Sequence, residues 1–272
     1  MPADDFAPLQ LSGPSGASAQ LYRHGAHLTS WIPQAGAADR LFLSERTALS
    51  PGSAIRGGVP VIFPQFASEG PLPKHGFARN RAWTLIAQQA DRLELQLRDD
   101  AQTRAIWPQR FTATLAVALD AQRLEIRLSV RNDDRAAFAF TAALHSYLRV
   151  DDVGAADVSG LQGLRYRDSA GGGVERIDAP APLRIDGEVD RIYFDVPGAV
   201  ELIEPARRTR IETTGFTDVV VWNPGAERGA ALADLEEQGY RRMLCIESAQ
   251  IGRPVQLAPG DSWTGAQILY AR

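Results

Sequence analysis

The sequence predicts an all-β protein built from two large, stacked antiparallel sheets, and two observations carry this prediction. In many short segments apolar residues alternate with polar ones, which is the pattern of a strand with one buried and one solvated face. The 24 glycines and 17 prolines separate these segments, whereas convincing helices are scarce. Because the alternation of strands and helices typical of a parallel α/β fold is missing, we expect a single all-β domain over residues 1–272.

The clearest strands are Arg92–Arg98 and Gln122–Arg131, in which every second residue is leucine, isoleucine or valine and is expected to face inward. Thr112–Leu119 precedes the second of these, and the short link between them predicts a hairpin. One short helix is predicted at Ala230–Gln238, where Gly239 would end it. Further strands are predicted at Gln20–Tyr22, Leu41–Leu43, Thr84–Gln88, Phe138–Val150, Asp157–Ser159, Ile192–Phe194, Val200–Ile203, Arg208–Thr213, Asp218–Trp222, Met243–Glu247, Val255–Leu257 and Trp263–Tyr270.

A long segment, residues 44–80, shows almost no periodicity and is rich in glycine and proline. A segment of this length without regular structure is usually either functional or disordered. Its apolar residues, among them Val59, Ile62, Phe63 and Phe77, favour burial. We therefore expect an ordered loop that lies over one end of a sheet.

Composition excludes several classes of partner. Lysine and arginine number 29 against 33 aspartate and glutamate residues, which argues against non-specific nucleic-acid binding but not against a local basic pocket. The lone cysteine, Cys245, cannot form an intramolecular disulfide, which favours a reducing compartment. Neither a signal peptide nor an apolar run long enough to span a bilayer is evident, so we expect a cytoplasmic protein without membrane contact.

Two residues on predicted strands are candidates for acid–base chemistry, His145 and Glu247. Alternation places His145 on the same strand face as Tyr147 and Arg149, a set that could line a polar cavity or meet solvent. Glu247 ends an apolar strand, where a carboxylate is either a solvated edge residue or a placed base. Cys245 shares its face and fits a small buried filler better than a nucleophile.

Four cations lie in or next to the long loop, namely Arg56, Lys74, Arg79 and Arg81. They are either solvated loop charges or an anion site, since arginine suits phosphate oxygens and neighbouring glycines let the backbone approach a ligand. The glycine motifs of phosphate loops and dinucleotide-binding folds are absent, so nucleotide binding by these routes is unsupported.

No pattern in the sequence indicates a metal site or a serine nucleophile. His24 and His27 are three residues apart, which is not a metal-ligand motif, and HExxH is absent. The GxSxG motif of serine hydrolases is also absent. We therefore predict no metal.

Six segments form a recognisable series along the chain: 55–64, 75–79, 144–148, 190–193, 222–224 and 245–247. Together they resemble the D-hexose-6-phosphate mutarotases, which are the glucose-6-phosphate 1-epimerases of the aldose 1-epimerase superfamily. The most specific part is the first segment, with Arg56-Gly57-Gly58, followed by His75-Gly76-Phe77-Ala78-Arg79. The resemblance extends over about residues 20–270.

The resemblance implies a galactose-mutarotase-like β-supersandwich with a sugar site on the concave face of the larger sheet. It also implies roles for individual residues. His145 would be the general acid at the ring oxygen, and Glu247 would be the general base at the C1 hydroxyl. Arg56 and Arg79 would bind the sugar phosphate.

The same resemblance implies that Asp190 hydrogen-bonds sugar hydroxyls and that His75 lies near the sugar. Two residues depart from the family pattern. Lys74 stands where relatives often have glutamine, which would strengthen phosphate binding or alter sugar contacts. Gly225 stands where many relatives have a second tryptophan, which would leave one wall of the pocket more open.

The function implied is the interconversion of the α and β anomers of a hexose 6-phosphate, with glucose 6-phosphate as the first candidate. Opening a hemiacetal needs a base and an acid but no redox change, so no cofactor is expected. Two alternatives stay open: an aldose 1-epimerase acting on unphosphorylated sugar, and a non-catalytic carbohydrate- or sugar-phosphate-binding protein. We expect a monomer whose partner is a small-molecule sugar phosphate.

Overall fold

The computed structural model describes residues 5–272, and strands dominate it. These strands pair antiparallel with one another. In chain order they are β1 (Leu9–Ser12), β2 (Ser18–Tyr22), β3 (His27–Ile32), β4 (Val61–Ile62), β5 (Thr84–Gln88), β6 (Arg92–Arg98), β7 (Phe111–Asp120), β8 (Arg123–Asn132), β9 (Phe138–Leu144), β10 (Tyr147–Arg149), β11 (Asp157–Ser159), β12 (Arg165–Asp168), β13 (Val174–Ile177), β14 (Leu183–Arg184), β15 (Val189–Tyr193), β16 (Val200–Ile203), β17 (Arg208–Thr214), β18 (Asp218–Asn223), β19 (Met243–Leu257) and β20 (Ser262–Ala271).

Helices are few and short. Over residues 5–272 the two α-helices are α1 (Ala101–Ile106) and α2 (Gly225–Ala230). Single 3₁₀ turns occur at Pro14–Gly16, Ala78–Asn80, Val153–Ala155 and Gly239–Arg242. Within residues 5–272, no helix has the length and apolar character needed to cross a membrane.

In the part of the chain that the structure describes, the strands form two large sheets and one small sheet. The eight-stranded sheet has the order β13-β12-β15-β18-β19-β9-β4, and β10 also pairs with β19. The nine-stranded sheet has the order β14-β11-β16-β17-β20-β8-β7-β6-β5, and β1, β2 and β3 form the third sheet. The prediction of an all-β fold with large antiparallel sheets is therefore confirmed.

The two large sheets bury their apolar faces against each other in one core. On β8, Leu124, Ile126, Leu128 and Val130 are fully buried, as the alternating sequence predicts. Apolar residues of β9, β18 and β19 belong to the same core cluster. Burying one such side chain contributes about 1.5–3 kcal/mol, so the core decides which residues of the eight-stranded sheet face outward.

Most predicted strands are confirmed, with ends that differ by a few residues. The predicted hairpin joins β7 to β8, with Asp120 opposite Arg123. The strand predicted at Leu41–Leu43 is wrong, because this segment forms only isolated bridges at Leu41 and Leu43.

The strand predicted over Phe138–Val150 is divided into β9 and β10, because His145 and Ser146 leave the regular ladder. Met243–Glu247 and Val255–Leu257 are instead parts of the single strand β19. Glu247 therefore lies inside a strand rather than at its end.

The helix predicted at Ala230–Gln238 is wrong. The chain ends α2 at Ala230 and continues in turns up to Gln238, which has a left-handed φ of 56°. Leu235 is buried in a cluster with residues of the site face, and the Glu236 carboxylate accepts a 2.6 Å hydrogen bond from the Ser44 hydroxyl. These tertiary contacts override the local helical preference.

The long segment 44–80 is ordered, as predicted. Its strand β4 pairs with β9, and isolated bridges join Gly57 to Leu43 and Val59 to Leu28. At Gly57, where φ is 114°, a Cβ would lie 2.4 Å from the Phe42 carbonyl oxygen. Only glycine fits this close approach of two backbone segments, which carries Arg56 to the edge of the sheet.

Candidate active site

The seven residues that the sequence singles out for the site all line one cavity on the outer face of the eight-stranded sheet. The cavity volume is about 360 Å³, which lies within the range of small-molecule sites. The resemblance implied that the site lies on the larger sheet. By strand count this is wrong, because the strands that carry the site belong to the eight-stranded sheet and the other large sheet has nine strands. The seven residues are Arg56, Lys74, His75, Arg79, His145, Asp190 and Glu247.

Strand register brings His145 and Glu247 together. Leu144 pairs with Ser248 and Tyr147 pairs with Cys245, so one register continues across the gap between β9 and β10. His145 therefore lies directly opposite Glu247 on the neighbouring strand. Directly opposed residues of an antiparallel pair have side chains on the same face and in contact.

The His145 ring is enclosed by aromatic side chains. It stacks on Tyr147 with ring centroids 5.0 Å apart, and it meets Trp222 and His75 edge-on at 6.0 and 5.7 Å. Its Nε2 atom lies 3.3 Å from Oε1 of Glu247, and the two side chains are 10% and 1% exposed. We call these two residues the floor of the cavity.

Burial changes the proton affinities of the floor. It lowers the pKa of His145 well below 6.5, with His75, Arg79 and Arg56 adding to the effect. It raises the pKa of Glu247 well above 4.5, and Asp190 adds to that effect. Both shifts favour the uncharged forms, a neutral imidazole beside a neutral carboxyl group, which is an arrangement in which the two groups share one transferable proton.

Two polar atoms of the floor are unpaired. Among residues 5–272, neither Nδ1 of His145 nor Oε2 of Glu247 has a hydrogen-bond partner. Buried polar atoms are nearly always hydrogen-bonded in folded proteins. Unpaired atoms of this kind beside a cavity are suited to a polar ligand.

Arg56 is held in place from two sides. Its Nη1 donates to the Tyr147 hydroxyl at 2.9 Å, and its Nη2 pairs with Asp234 at 3.1 Å. Burial lowers the pKa of Arg56, but Tyr147 and Asp234 outweigh burial and raise the pKa above its ordinary value. The guanidinium is therefore a fixed, permanent charge at the cavity.

Arg79 and Lys74 add positive charge with little compensation. Nη2 of Arg79 lies 3.5 Å from the Lys74 carbonyl oxygen, and its buried Nε has no partner within the described part of the chain. Burial lowers the pKa of both residues, as does their proximity to other cations, Arg56 beside Arg79 and Arg228 beside Lys74. We call Arg56, Lys74 and Arg79 the cationic wall, and such a group of like charges favours an anion.

His75 is a neutral hydrogen-bond donor. The backbone N–H of Ala67 donates to its Nδ1 at 3.2 Å, so in the neutral ring the proton is on Nε2. Burial, together with Arg79 and Lys74, lowers the pKa of His75 to about 3. An uncharged N–H of this kind can donate to a sugar hydroxyl.

Asp190 reaches the cavity from β15, where it lies opposite Trp222 of β18. Burial raises its pKa, and Glu188 adds to the rise while Arg228 opposes it. Arg228 also lines the cavity and pairs with Glu188 at 2.6 Å. Sequence reasoning missed Arg228 and Asp234, because both belong to the α2 region, where no local pattern marks them.

Arg81 and Gly225 lie outside the cavity lining. Arg81 donates to Gln102 instead. Gly225 has φ of 64°, and a Cβ there would lie 2.7 Å from the backbone nitrogen of Glu188. The expectation that Gly225 leaves one wall of the pocket more open stays a prediction.

The histidines outside the cavity support the loop. Nε2 of His24 bonds to the Ser53 carbonyl and Nε2 of His27 bonds to the Gly57 carbonyl, each at 2.7 Å. Burial lowers the pKa of His27 to about 4, so its ring is neutral. Over residues 5–272 no group of three or more histidine, cysteine, aspartate or glutamate side chains is arranged to hold a metal ion.

The fold is that of a galactose-mutarotase-like sandwich. A galactose mutarotase-like protein from Lactobacillus casei has a TM-score of 0.78 at 17% identity, covering 98% of this chain and 100% of its own. The aldose 1-epimerase family model matches residues 8–270. The chain belongs to the aldose 1-epimerase family, and the resemblance seen in its motifs is confirmed.

Two similar proteins lie closer in sequence. A protein of Cenchrus ciliaris named "Putative glucose-6-phosphate 1-epimerase" is 34% identical over 275 residues, which cover 96% of this chain and 83% of the relative. The crystal structure of "a putative mutarotase" from Salmonella typhimurium has a TM-score of 0.88 at 30% identity. That match covers 97% of this chain and 90% of the Salmonella chain.

Proposed function

We propose that this chain interconverts the α and β anomers of a hexose 6-phosphate, with glucose 6-phosphate as the first candidate. The observation that carries the proposal is the floor pair, 3.3 Å apart, in the same cavity as the cationic wall. One part of the cavity can exchange protons with a sugar ring, and another can bind a phosphate. Family membership and the names of the two relatives support the same activity.

Ring opening moves a proton and an electron pair at each of two oxygens. Glu247 accepts the proton of the C1 hydroxyl, and the electron pair of that O–H bond becomes the second bond of the C1 carbonyl. The bond from C1 to the ring oxygen breaks, and the ring oxygen takes a proton from His145. Rotation about C1–C2 presents the other face of the aldehyde, and the reverse transfers close the ring.

The shared proton of the floor suits this cycle. Ring opening starts from the ionised arrangement of the pair, in which the shared proton has moved from Glu247 to His145, and it ends with both groups neutral. The pair carries one proton at both stages, so no exchange with solvent is needed within a cycle. The sugar neither gains nor loses electrons, and the step therefore needs no redox cofactor.

The cationic wall would hold the 6-phosphate and so position the ring over the floor. Arg56 offers a guanidinium fixed by Tyr147 and Asp234, while the buried Nε atoms of Arg56 and Arg79 are available donors. Anchoring a remote group of the substrate fixes the reacting atoms against their catalytic groups. We assign the remaining sugar contacts to His75 as a donor and Asp190 as an acceptor.

Three broader expectations stay predictions, namely one domain over residues 1–272, a monomer, and a cytoplasmic location. A core cluster that extends from Leu11 to Ala271 supports the first. Sedimentation velocity of the purified protein tests the second, and a fluorescent fusion expressed in its host tests the third.

Exchange NMR of anomeric protons tests the proposed function. The wild-type protein is compared on glucose 6-phosphate, glucose and galactose, with the spontaneous rate subtracted. We expect catalysed exchange of glucose 6-phosphate that exceeds exchange of both unphosphorylated sugars. Faster exchange of glucose or galactose would favour an aldose 1-epimerase, and binding of glucose 6-phosphate without exchange would favour a non-catalytic binding protein.

A further inference from the structure

Gln267 is a fully buried polar residue between the two large sheets. It lies on β20 of the nine-stranded sheet, and its side chain reaches the eight-stranded sheet. Nε2 donates to the Ile246 carbonyl at 3.1 Å, and Oε1 accepts from the Ser146 hydroxyl. Because a carbonyl can only accept, the amide orientation is fixed by its partners.

The Ile246 carbonyl needs this donor because the strand ladder is interrupted beside it. The register on either side puts Ser146 opposite Ile246. Ile246 N–H donates to the Ser146 carbonyl at 3.1 Å, but Ser146 N–H donates to Leu144 of its own strand at 3.0 Å. A regular antiparallel pair of this type exchanges both bonds, so one is missing here.

The bond from Ser146 to Leu144 closes a three-residue turn with His145 at its centre. This turn takes His145 out of the regular ladder at the point where its ring meets Glu247. The turn also leaves the Ile246 carbonyl without a ladder donor, and a buried carbonyl without a donor is costly. Gln267 supplies the replacement from the opposite sheet.

We propose that Gln267 is a positioning residue for His145. Its amide takes the place of the missing ladder bond and so stabilises the turn that sets the imidazole against Glu247. Without the amide, Ser146 N–H rejoins the ladder by bonding to Ile246, the turn straightens, and the His145 ring moves relative to Glu247. The kinetic part of this inference rests on the proposed function, whereas the geometric part does not.

Gln267→Met tests the proposal, since methionine has a similar length and no hydrogen-bonding amide. We expect kcat for glucose 6-phosphate to fall about 10–100-fold, the scale expected when a catalytic group is misplaced. KM should stay within about twofold, because the cationic wall is not touched. His145 ring nitrogen NMR signals should also shift.

Asn132 provides the matched control. It is also a fully buried amide, and its Nδ2 donates to the Ala136 and Leu257 carbonyls at 2.9 Å, outside the cavity lining. Asn132→Leu should lower the melting temperature to a similar extent but leave kcat within about twofold. The His145 ring signals should keep their wild-type positions in this variant.

Ser146→Ala provides a milder variant that removes only the hydroxyl contact to Gln267. Ser146→Ala should lower kcat a few-fold. If Gln267→Met does not fold, this variant tests whether Gln267 positions His145. Wild-type kcat in the folded variants, or an equal loss in Asn132→Leu, would overturn the positioning role. If the wild-type protein exchanges no sugar, the proposed function fails alone, and the His145 signals of Gln267→Met still decide whether Gln267 positions the ring.

Discussion

The floor and the cationic wall of the same cavity differ in the charge states that their surroundings favour. On the floor, burial lowers the pKa of His145 and raises the pKa of Glu247, so both groups favour their neutral forms. On the wall, Asp234 and Tyr147 offset the burial of Arg56 and keep it charged. The floor residues, which must gain and lose a proton, are stabilised in their uncharged forms. Arg56, which must attract an anion, is stabilised in its charged form.

The two regions also come from different parts of the fold. The floor lies on neighbouring strands, where the register fixes His145 opposite Glu247. A slip of either strand by one residue would turn its side chain toward the core and break the pair, so the register is a rigid support for proton transfer. The wall lies on the loop 44–80, whose backbone is held by bridges at Gly57 and Val59.

The largest effect should come from removing the floor histidine. His145→Ala should lower kcat for anomeric exchange by about 10²–10⁴-fold, the usual contribution of a general acid or base. KM for glucose 6-phosphate should change little, because the wall remains. Exchange NMR measures both, with circular dichroism to check the fold, and a rate within a few-fold of wild type would remove His145 from the mechanism.

Substitutions in the cationic wall should instead impair the reaction of phosphorylated sugar and leave that of unphosphorylated sugar unchanged. Arg79→Ala should raise KM for glucose 6-phosphate about 10–100-fold, since a hydrogen bond to a charged group contributes about 1.5–3 kcal/mol. Exchange of glucose should be unchanged. Arg81→Ala is the matched control, because Arg81 donates to Gln102 outside the cavity lining. Equal losses for both sugars in Arg79→Ala would contradict a phosphate site.

The pH dependence of kcat should report the neutral floor. An unshifted histidine would lose its proton above pH 6.5, and activity would fall there. With the pKa of His145 lowered and that of Glu247 raised, the one-proton state persists above pH 6.5 and ends only as Glu247 ionises. At saturating substrate the enzyme stays fully occupied, so the second phosphate ionisation near pH 6 does not change the measured rate through substrate binding. We expect kcat to stay constant as the pH rises through 6.5, and a tenfold fall per pH unit above 6.5 would contradict this.

The smallest effect should come from Lys74, which is exposed at the rim of the wall. Lys74→Gln should raise KM for glucose 6-phosphate about 2–5-fold, because exposed charge pairs contribute only about 0.2–1 kcal/mol. The effect should diminish at high salt. A loss as large as that of Arg79→Ala would make Lys74 a principal phosphate ligand.

Much of the fold was predictable because many strands bury one face and expose the other. Period-two segments such as Arg92–Arg98 became strands with the expected bounds. The failures occurred where tertiary contacts decide, as at Ala230–Gln238, or where only capping chemistry marks an element. The helix α1 begins with a capping box between Asp100 and Thr103, a local signal that periodicity does not detect.

The residues of the candidate site likewise fall into those marked by a local motif and those whose role depends on tertiary contacts. Residues in conspicuous motifs, such as Arg56 and His145, could be named from the sequence. Asp234 and Gln267 could not, because their significance depends on contacts between distant segments, Asp234 with Arg56 and Gln267 with Ser146. A pattern of local periodicity contains no information about such pairings.

Glu247→Gln tests the central claim most directly, namely that the floor pair exchanges protons with a sugar held by the wall. Glutamine keeps the size of the glutamate and, like the buried carboxyl group, is uncharged, so phosphate binding should persist. In exchange NMR with saturating glucose 6-phosphate, we expect the catalysed rate to fall about 10²–10⁴-fold. A catalysed rate within a few-fold of wild type, with the same KM, would contradict the account.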